Sequence, residues 1–130
     1  MASIRKEILI DAPADRVWTA LRDVGGAHRV FPGVVADTRL EEGARVITFG
    51  NGMVVRELIV DLDDDTRRFA WAATGGRLTH HNASLQAFAE GAGRTRVVWI
   101  ADLLPDAMAG DVAALMEQGA GAMKRTLEGH

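Results

Sequence analysis

The segment Arg94–Glu128, RTRVVWIADLLPDAMAGDVAALMEQGAGAMKRTLE, contains two patterns of hydrophobic residues with different spacings, one before Pro105 and one after it. Before the proline, the charged residues share one face of an alternating pattern, and the other face is mostly apolar: Thr95, Val97, Trp99, Ala101 and Leu103. After it, apolar residues recur at spacings of three and four: Met108, Val112, Leu115, Met116, Gly119, Met123 and Leu127. These patterns predict a strand, then one amphipathic helix from Asp106 to Glu128 that covers a sheet.

Turn-forming residues divide the preceding part of the chain at regular intervals. They are Glu41-Glu42-Gly43, Gly50-Asn51-Gly52, Asp63-Asp64-Asp65, Gly75-Gly76 and Gly91-Ala92-Gly93. Asn51-Gly52 is the strongest single hairpin signal, because its residues accept the backbone conformations that short hairpin loops require. The spacing predicts an antiparallel meander of six strands between residues 34 and 104.

The first thirty residues predict one strand and two short helices. Ile4, Ile8 and Ile10 share a face of the opening strand, whereas Val17, Trp18, Leu21 and Val24 form a helical stripe. Asp11 is placed to cap this helix, and Pro13 suits its first turn. A brief helical turn in AHRVFPGV then stops at Pro32. The whole chain is therefore predicted to be α+β, with one face of a sheet covered by the final helix.

Composition limits the kind of protein this is. The 130 residues are 48% hydrophobic, which fits one domain over residues 1–130. The net charge of -3 is interspersed along the chain, so we expect no nucleic acid partner. There is no cysteine, which excludes disulfides and thiolate chemistry. MASIRKEILIDA shows neither a signal peptide nor a membrane helix, and we expect a cytoplasmic protein without membrane insertion.

Four segments resemble the START-like (SRPBCC) superfamily, and within it the polyketide cyclase/dehydrase type. They are IDAPADRVWTALRDV, FPGV, VVRELIVDLDDDTRRFAW and RVVWIADLLPD. The resemblance implies a helix-grip fold, in which a seven-stranded curved antiparallel sheet wraps around the long C-terminal helix. It also implies an apolar cavity for a lipid, hormone or polyketide-like ligand, with no cofactor. Family members include binding proteins, receptors and enzymes, so the family does not fix the function.

The resemblance and the strand alternation together place a set of side chains on the concave face of the sheet. The expected ligand-binding residues are Phe31, Val55, Ile59, Trp71, Ala73, Ala83, Leu85, Trp99, Ala101, Met116, Gly119 and Met123. The two tryptophans suit either a core or a ligand wall. Gly119 lies on the inward stripe of a helix, where glycine is costly. It therefore leaves either cavity space or room for close packing against the sheet.

Two polar residues, Glu57 and His81, are predicted on this apolar face. Adjacent strand residues point to opposite faces, so His80 and His81 cannot bind one metal ion together, and we expect no metal site. Glu57 reaches solvent, pairs with an arginine such as Arg29 or Arg77, or has a carboxyl group of raised pKa that contacts a ligand. About 10 Å, two strand spacings, would separate Glu57 from His81.

Two functional hypotheses remain open from the sequence. The first is a carrier or sensor of a small hydrophobic or polyketide-like molecule, as a monomer or homodimer. The second is a cofactor-independent cyclase, dehydratase or lyase in which Glu57 and His81 are the catalytic acid and base.

Overall fold

The computed structural model describes residues 2–74 and 77–129, with the backbone but not the side chain of residue 74. The strands are β1 (Ala2–Ile10), β2 (Val35–Glu41), β3 (Ala44–Phe49), β4 (Val54–Asp63), β5 (Arg68–Thr74), β6 (His80–Ala89) and β7 (Thr95–Leu104). The α-helices are α1 (Ala14–Arg22), α2 (Ala27–Val30) and α3 (Ala109–Leu127), with 3₁₀ turns at Val24–Gly26 and Asp106–Met108. This is the predicted α+β architecture. The predicted turn at Gly75-Gly76 lies outside the described residues.

All seven strands form one antiparallel sheet in the order β1-β7-β6-β5-β4-β3-β2. Consecutive strands from β2 to β7 are neighbours, which confirms the meander. β1 instead pairs with β7, so the first and second strands form the two edges of the sheet. α1 and α2 connect these edges across the concave side.

The loop between β3 and β4 sets the register of the strands that form the site. The amide of Phe49 donates to the carbonyl of Met53, and Gly52 donates back to Phe49. Gly52 has φ +90°, which suits a type I turn that ends in a left-handed glycine. The loop is therefore three residues long, Gly50 to Gly52, and it places Arg45 directly opposite Glu57.

The two faces of β7 are as the alternation predicts. Val97, Ala101 and Leu103 are buried on the concave side, and Trp99 contacts Phe31 there with ring centroids 5.7 Å apart. Arg96 lies on the convex side, where its guanidinium donates to Glu90 and Glu7. The period-2 pattern thus separates core from solvent along the strand.

α3 packs across the concave face through its buried side chains: Met116, Gly119, Ala120, Ala122, Met123 and Leu127. Its C-terminal end is fastened to β1, because Lys124 Nζ donates to the carbonyl of Leu9 and Glu128 accepts from the amide of Asp11. Among the residues described, no helix is both long and apolar enough to span a bilayer.

The predicted cap of α1 is wrong. The helix begins at Ala14 after Pro13, and no side chain caps it. The N-cap position is taken by Pro13, so the Asp11 side chain lies two residues before the position from which it could cap. The backbone amide of Asp11 donates instead to Glu128 at the end of α3.

Candidate functional site

A cavity of about 100 Å³ lies between the concave face of the sheet, the segment around α2, and α3. The sheet contributes Val35, Arg45, Ile47, Phe49, Glu57, Trp71, His81, Leu85, Trp99 and Ala101. The other walls are Ala27, Phe31, Val34, Val112, Leu115, Met116 and Gly119. The lining is apolar except for Arg45, Glu57, His81 and the indole nitrogens.

The residues expected at a ligand site divide into two groups. Those that line this cavity are Phe31, Glu57, Trp71, His81, Leu85, Trp99, Ala101, Met116 and Gly119. Those that lie elsewhere are Val55, Ile59, Ala73, Ala83 and Met123. Ala83 and Met123 are buried in the core, and Ile59 is partly buried against it. A shift in the β4–β5 register directly follows Ile59.

Glu57 is buried and forms an ion pair with Arg45. Only 7% of Glu57 is exposed, and its Oε1 accepts a 2.8 Å hydrogen bond from Arg45 Nε. The arginines considered from the sequence are engaged elsewhere, Arg29 with Asp23 and Arg77 with Asp111. The expectation of an arginine partner was correct in kind, but the partner is the residue directly across the β3–β4 hairpin.

The guanidinium of Arg45 is held on several sides. Its Nη1 donates to the carbonyl of Val24 at 3.1 Å. Its carbon lies 4.9 Å from the ring centre of Phe69 and 5.6 Å from that of Trp71, two rings that stack on each other. These cation–π contacts and hydrogen bonds hold the guanidinium in one position, from which it orients the Glu57 carboxylate.

Burial raises the pKa of Glu57, because loss of solvent disfavours the charged carboxylate. The charge and the hydrogen bond of Arg45 oppose this effect. Glu57 therefore differs from a surface glutamate in two respects, since it is poorly solvated and has one oxygen committed to its partner.

His81 and His80 point to opposite faces, as the strand geometry requires. His80 Nε2 lies 2.6 Å from Asn82 Oδ1 on the convex face, and Asn82 in turn donates to Asp102. His81 lines the cavity, and its Nδ1 is buried without a hydrogen-bond partner among the residues that the structure describes. Burial is the main reason that the pKa of His81 is lowered, so the imidazole is neutral at pH 7. The described residues contain no cluster of three or more potential metal ligands.

Glu57 and His81 lie across the cavity from each other. Glu57 pairs with Ala73 of β5, and β6 continues the sheet with Asn82 opposite Ala72. The two side chains are therefore at nearly the same level on strands separated by β5, about 10 Å apart. This spacing leaves room for a small molecule between them.

Two indoles form much of the remaining wall. Trp71 Nε1 is buried and has no hydrogen-bond partner within residues 2–74 and 77–129. The third tryptophan, Trp18, instead donates to Asp64 Oδ1 at 2.9 Å outside the cavity. Trp99 packs against α3 at Gly119, where an added Cβ would lie 2.9 Å from its Cη2. Gly119 thus lines the cavity and also permits close packing of helix against sheet, which supports the second of its two explanations.

Arg45 and most of the cavity wall formed by residues 27–35 were not predicted from the sequence. Arg45, Ile47 and Phe49 alternate along β3, and this alternation was the available signal for an inward arginine. Ala27 lies in the short helix α2, Val34 in the connection that follows, and Val35 at the very start of β2. No hydrophobic period in so short a stretch reveals which of these side chains face inward.

Comparison with known proteins agrees with this fold. A protein-family model described as polyketide cyclase/dehydrase and lipid transport matches residues 1–128. No curated protein sequence matches the chain.

Solved structures with the same fold cover nearly all of the chain. An uncharacterised protein from Bacillus thuringiensis has a TM-score of 0.89 at 15% identity, covering 97% of this chain and 98% of its own. The di-domain ARO/CYC BexL from the BE-7585A biosynthetic pathway has a TM-score of 0.87 at 18% identity, covering 98% of this chain and 47% of its own. A START superfamily protein from Mycobacterium smegmatis has a TM-score of 0.79 at 14% identity, covering 97% of each chain.

Identities this low show a shared fold and carry no information about ligand or reaction. The family model, in contrast, extends over almost the whole sequence. The chain therefore belongs to the polyketide cyclase/dehydrase and lipid transport family and has the helix-grip fold of START-like proteins.

Proposed function

We propose that the protein binds a small, largely apolar molecule in the cavity between the sheet and α3, as a carrier or sensor. The observation that supports this most directly is the cavity of about 100 Å³ itself, whose lining is apolar apart from Arg45, Glu57 and His81. Protein interiors are otherwise closely packed, and a space with apolar walls and a few polar groups is typical of a ligand site.

The rest of the lining favours an apolar ligand body. Phe31, Phe49, Ile47, Leu115 and Met116 surround the same space. Ligand sites in proteins are commonly of this type, with mostly hydrophobic walls and a few polar groups that fix orientation. Methionine adapts its shape to a bound molecule more readily than branched side chains do.

The state of Glu57 favours binding over catalysis. Its Oε1 accepts from Arg45, and Arg45 is itself fixed by Val24 and two aromatic rings. The oxygen that accepts this hydrogen bond is not available to take a proton from a ligand. Glu57 is well suited to orient a ligand.

A second candidate is a cofactor-independent cyclase, dehydratase or lyase. It is favoured by the position of Glu57 and His81 on opposite sides of one cavity, where both line the same space. His81, neutral at pH 7, would accept a proton, and Glu57 in its protonated form would donate one.

Native mass spectrometry of the purified protein tests the binding proposal first. A bound molecule of low mass, released on denaturation, is the expected result. If none is present, displacement of a neutral apolar fluorophore such as N-phenyl-1-naphthylamine provides the second measurement. Failure of the fluorophore to bind, together with an empty mass spectrum, would contradict the proposal.

Variants of the polar pair distinguish the two candidates once a ligand is known. For a binding protein, Glu57→Gln lowers the affinity for a neutral ligand by no more than about 1 to 2 kcal/mol. For an enzyme, Glu57→Gln and His81→Asn each reduce turnover by roughly 100-fold or more while binding is largely retained. Both variants must be compared at a temperature where each is shown to be folded, because Glu57 also stabilises Arg45.

A further inference from the structure

The convex face of the sheet carries an apolar stripe on β4. Val54, Leu58 and Val60 point to this face and are exposed, Val60 by 62%. Among the residues described, six large hydrophobic side chains are exposed, and four of them lie between Met53 and Val60. Scattered apolar residues are ordinary on a protein surface, whereas their concentration on one strand marks an interaction surface.

The strands on either side of β4 keep the surroundings of Leu58 low and apolar. Leu58 lies opposite Ala44 of β3 and Ala72 of β5. Ala70, the neighbouring convex residue of β5, is also small. Leu58 and Val60 therefore project from a floor of alanines, where the surface of a second protein can contact them.

The part of the convex face formed by β1, β6 and β7 is crossed by polar networks instead. Ser3 donates to Asp102, which also accepts from Asn82. Arg96 donates to Glu7 on the neighbouring strand. Polar side chains that bond to one another in this way are typical of a face that stays in water. The two parts of the convex face thus differ in what they can contact.

A β-bulge determines how the apolar stripe ends. Asp61 lies opposite Ala70, and Val60 is the extra residue between Ile59 and Asp61. Ile59 packs against the core on the concave side. The bulge therefore turns two consecutive residues, Val60 and Asp61, toward the convex face, and the stripe ends directly on an exposed carboxylate.

A positive charge lies at the other end of the stripe. Arg56 precedes Leu58 by two residues, which places both side chains on the convex face. The Arg56 Nε donates to Glu41 at 3.0 Å, and a guanidinium, with its five N–H donors, can bind more than one carboxylate. Along β4 the convex side chains therefore run from basic through apolar to acidic: Arg56, Leu58, Val60 and Asp61.

We propose that this stripe is the interface of a homodimer, in which two copies of the chain pack their convex faces together about a two-fold axis. The axis lies between the two sheets and crosses β4 at right angles near Leu58. It reverses the direction of β4, so Arg56 of each copy faces Asp61 of the partner subunit. An axis parallel to β4 would instead bring like charges together at both ends. The order of charges therefore selects the antiparallel arrangement.

The curvature of the sheet limits the strength of this dimer. Two convex faces meet only near the middle of each sheet, which is where β4 and β5 lie. We therefore expect a buried area at the low end of specific interfaces, below about 1,200 Å² in total, and a dissociation constant in the micromolar range. The cavity lies on the opposite face, so this inference is independent of the proposed ligand binding.

Sedimentation velocity at protein concentrations from about 5 to 500 µM measures the association directly. We expect a reversible dimer. Val60→Lys places a charge in the interface and should weaken the association at least about 10-fold. Leu9→Lys is the matched control and should leave the association unchanged. Leu9 is also exposed on the convex face, but β1 lies four strand spacings, about 20 Å, from β4.

Two charge reversals test the orientation of the two copies. Arg56→Glu and Asp61→Lys each put like charges face to face, so each variant alone should associate at least about 10-fold more weakly than the wild type. In a mixed dimer of the two variants, both contacts again join opposite charges, and we expect an equimolar mixture to associate within about 3-fold of the wild type. Arg56→Glu also removes the hydrogen bond to Glu41 within one copy, but that loss cannot produce recovery on mixing.

Three results would each overturn the proposal. The first is a wild type that stays monomeric over the whole concentration range. The second is an association that Val60→Lys leaves unchanged, or that Leu9→Lys weakens equally, since the dimer would then use another surface. The third is a mixture that associates no better than the separate variants. The mixing experiment does not use Val60→Lys, so it decides the proposal even if that variant is less stable.

Discussion

Replacement of Glu57 by glutamine tests the buried ion pair most sharply, because it removes one charge and almost no volume. The side chains of Arg45 and Glu57 are only 7% and 10% exposed. In the variant, Arg45 keeps the Val24 carbonyl and the two aromatic rings but loses its counter-ion. Breaking a buried pair from one side costs about 3 to 5 kcal/mol. Because those contacts remain, we expect a loss near the lower limit, about 3 kcal/mol.

A double-mutant cycle isolates the interaction between the two residues. Arg45→Met combined with Glu57→Gln removes both charges and leaves side chains of similar volume. The free energy of unfolding of the double variant should exceed, by about 2 kcal/mol or more, the value expected if the two single losses were additive. The reason is that neither charge remains buried alone in the double variant. Urea unfolding of the four proteins at pH 7 gives the free energies of unfolding.

A surface ion pair supplies the matched control. Lys6 Nζ and Glu117 Oε2 are 2.7 Å apart, close to the 2.8 Å of the buried pair, but the Glu117 side chain is 72% exposed. Glu117→Gln should therefore cost less than about 1 kcal/mol. If Glu57→Gln costs no more than Glu117→Gln and the cycle is additive, Arg45 and Glu57 do not form a buried, charged pair, and the electrostatic description of the cavity is wrong.

Two further predictions concern His81 and Gly119. Because burial makes the folded-state pKa of His81 lower than its unfolded value, its neutral form contributes stability in full above about pH 6.5, and this contribution is lost as the pH falls through the folded pKa. His81→Asn should therefore lose less stability between pH 7 and pH 5 than the wild type, as measured by urea unfolding at each pH, and equal losses would contradict the burial of this imidazole. Gly121→Ala should stabilise α3 by about 1 kcal/mol, since only the movable end of Arg125 lies near its added methyl group. Gly119→Ala should give no such gain, because its methyl group would press on Trp99, and equal thermal stability of the two variants would contradict the close packing described here.

The sequence predicted the architecture because each element carries its own period. The alternation in β7 placed Trp99 inside and Arg96 outside, and the change of period after Pro105 predicted α3. These patterns are local, and they predict the observed burial because the buried face of a helix or strand has to be apolar along the whole element. The same alternation placed Glu57 and His81 on the cavity side.

The partner of Glu57 was not predicted because it depends on the register between β3 and β4, and no local sequence pattern determines that register. A two-residue loop at Asn51-Gly52 would pair Arg45 with Leu58, whereas the observed three-residue loop pairs it with Glu57. A shift of one residue decides whether the arginine faces a carboxylate or an exposed leucine. The choice between loop lengths was open from the sequence, and the chemistry of the cavity followed from it.

The pairing of β1 with β7 determines when the protein can complete its sheet during synthesis. Ser3 and Asp102, which bond across these strands, are 99 positions apart in the chain. A ribosome adds about 5 to 20 residues per second, so β1 waits on the order of 5 to 20 s for its partner to be made. During that interval the meander from β2 onward can form step by step, while the isoleucine face of β1 stays uncovered. Completion of the fold, and with it closure of the cavity by α3, therefore has to wait until β7 and α3 have been synthesised, and until then the nascent chain depends on protection from aggregation.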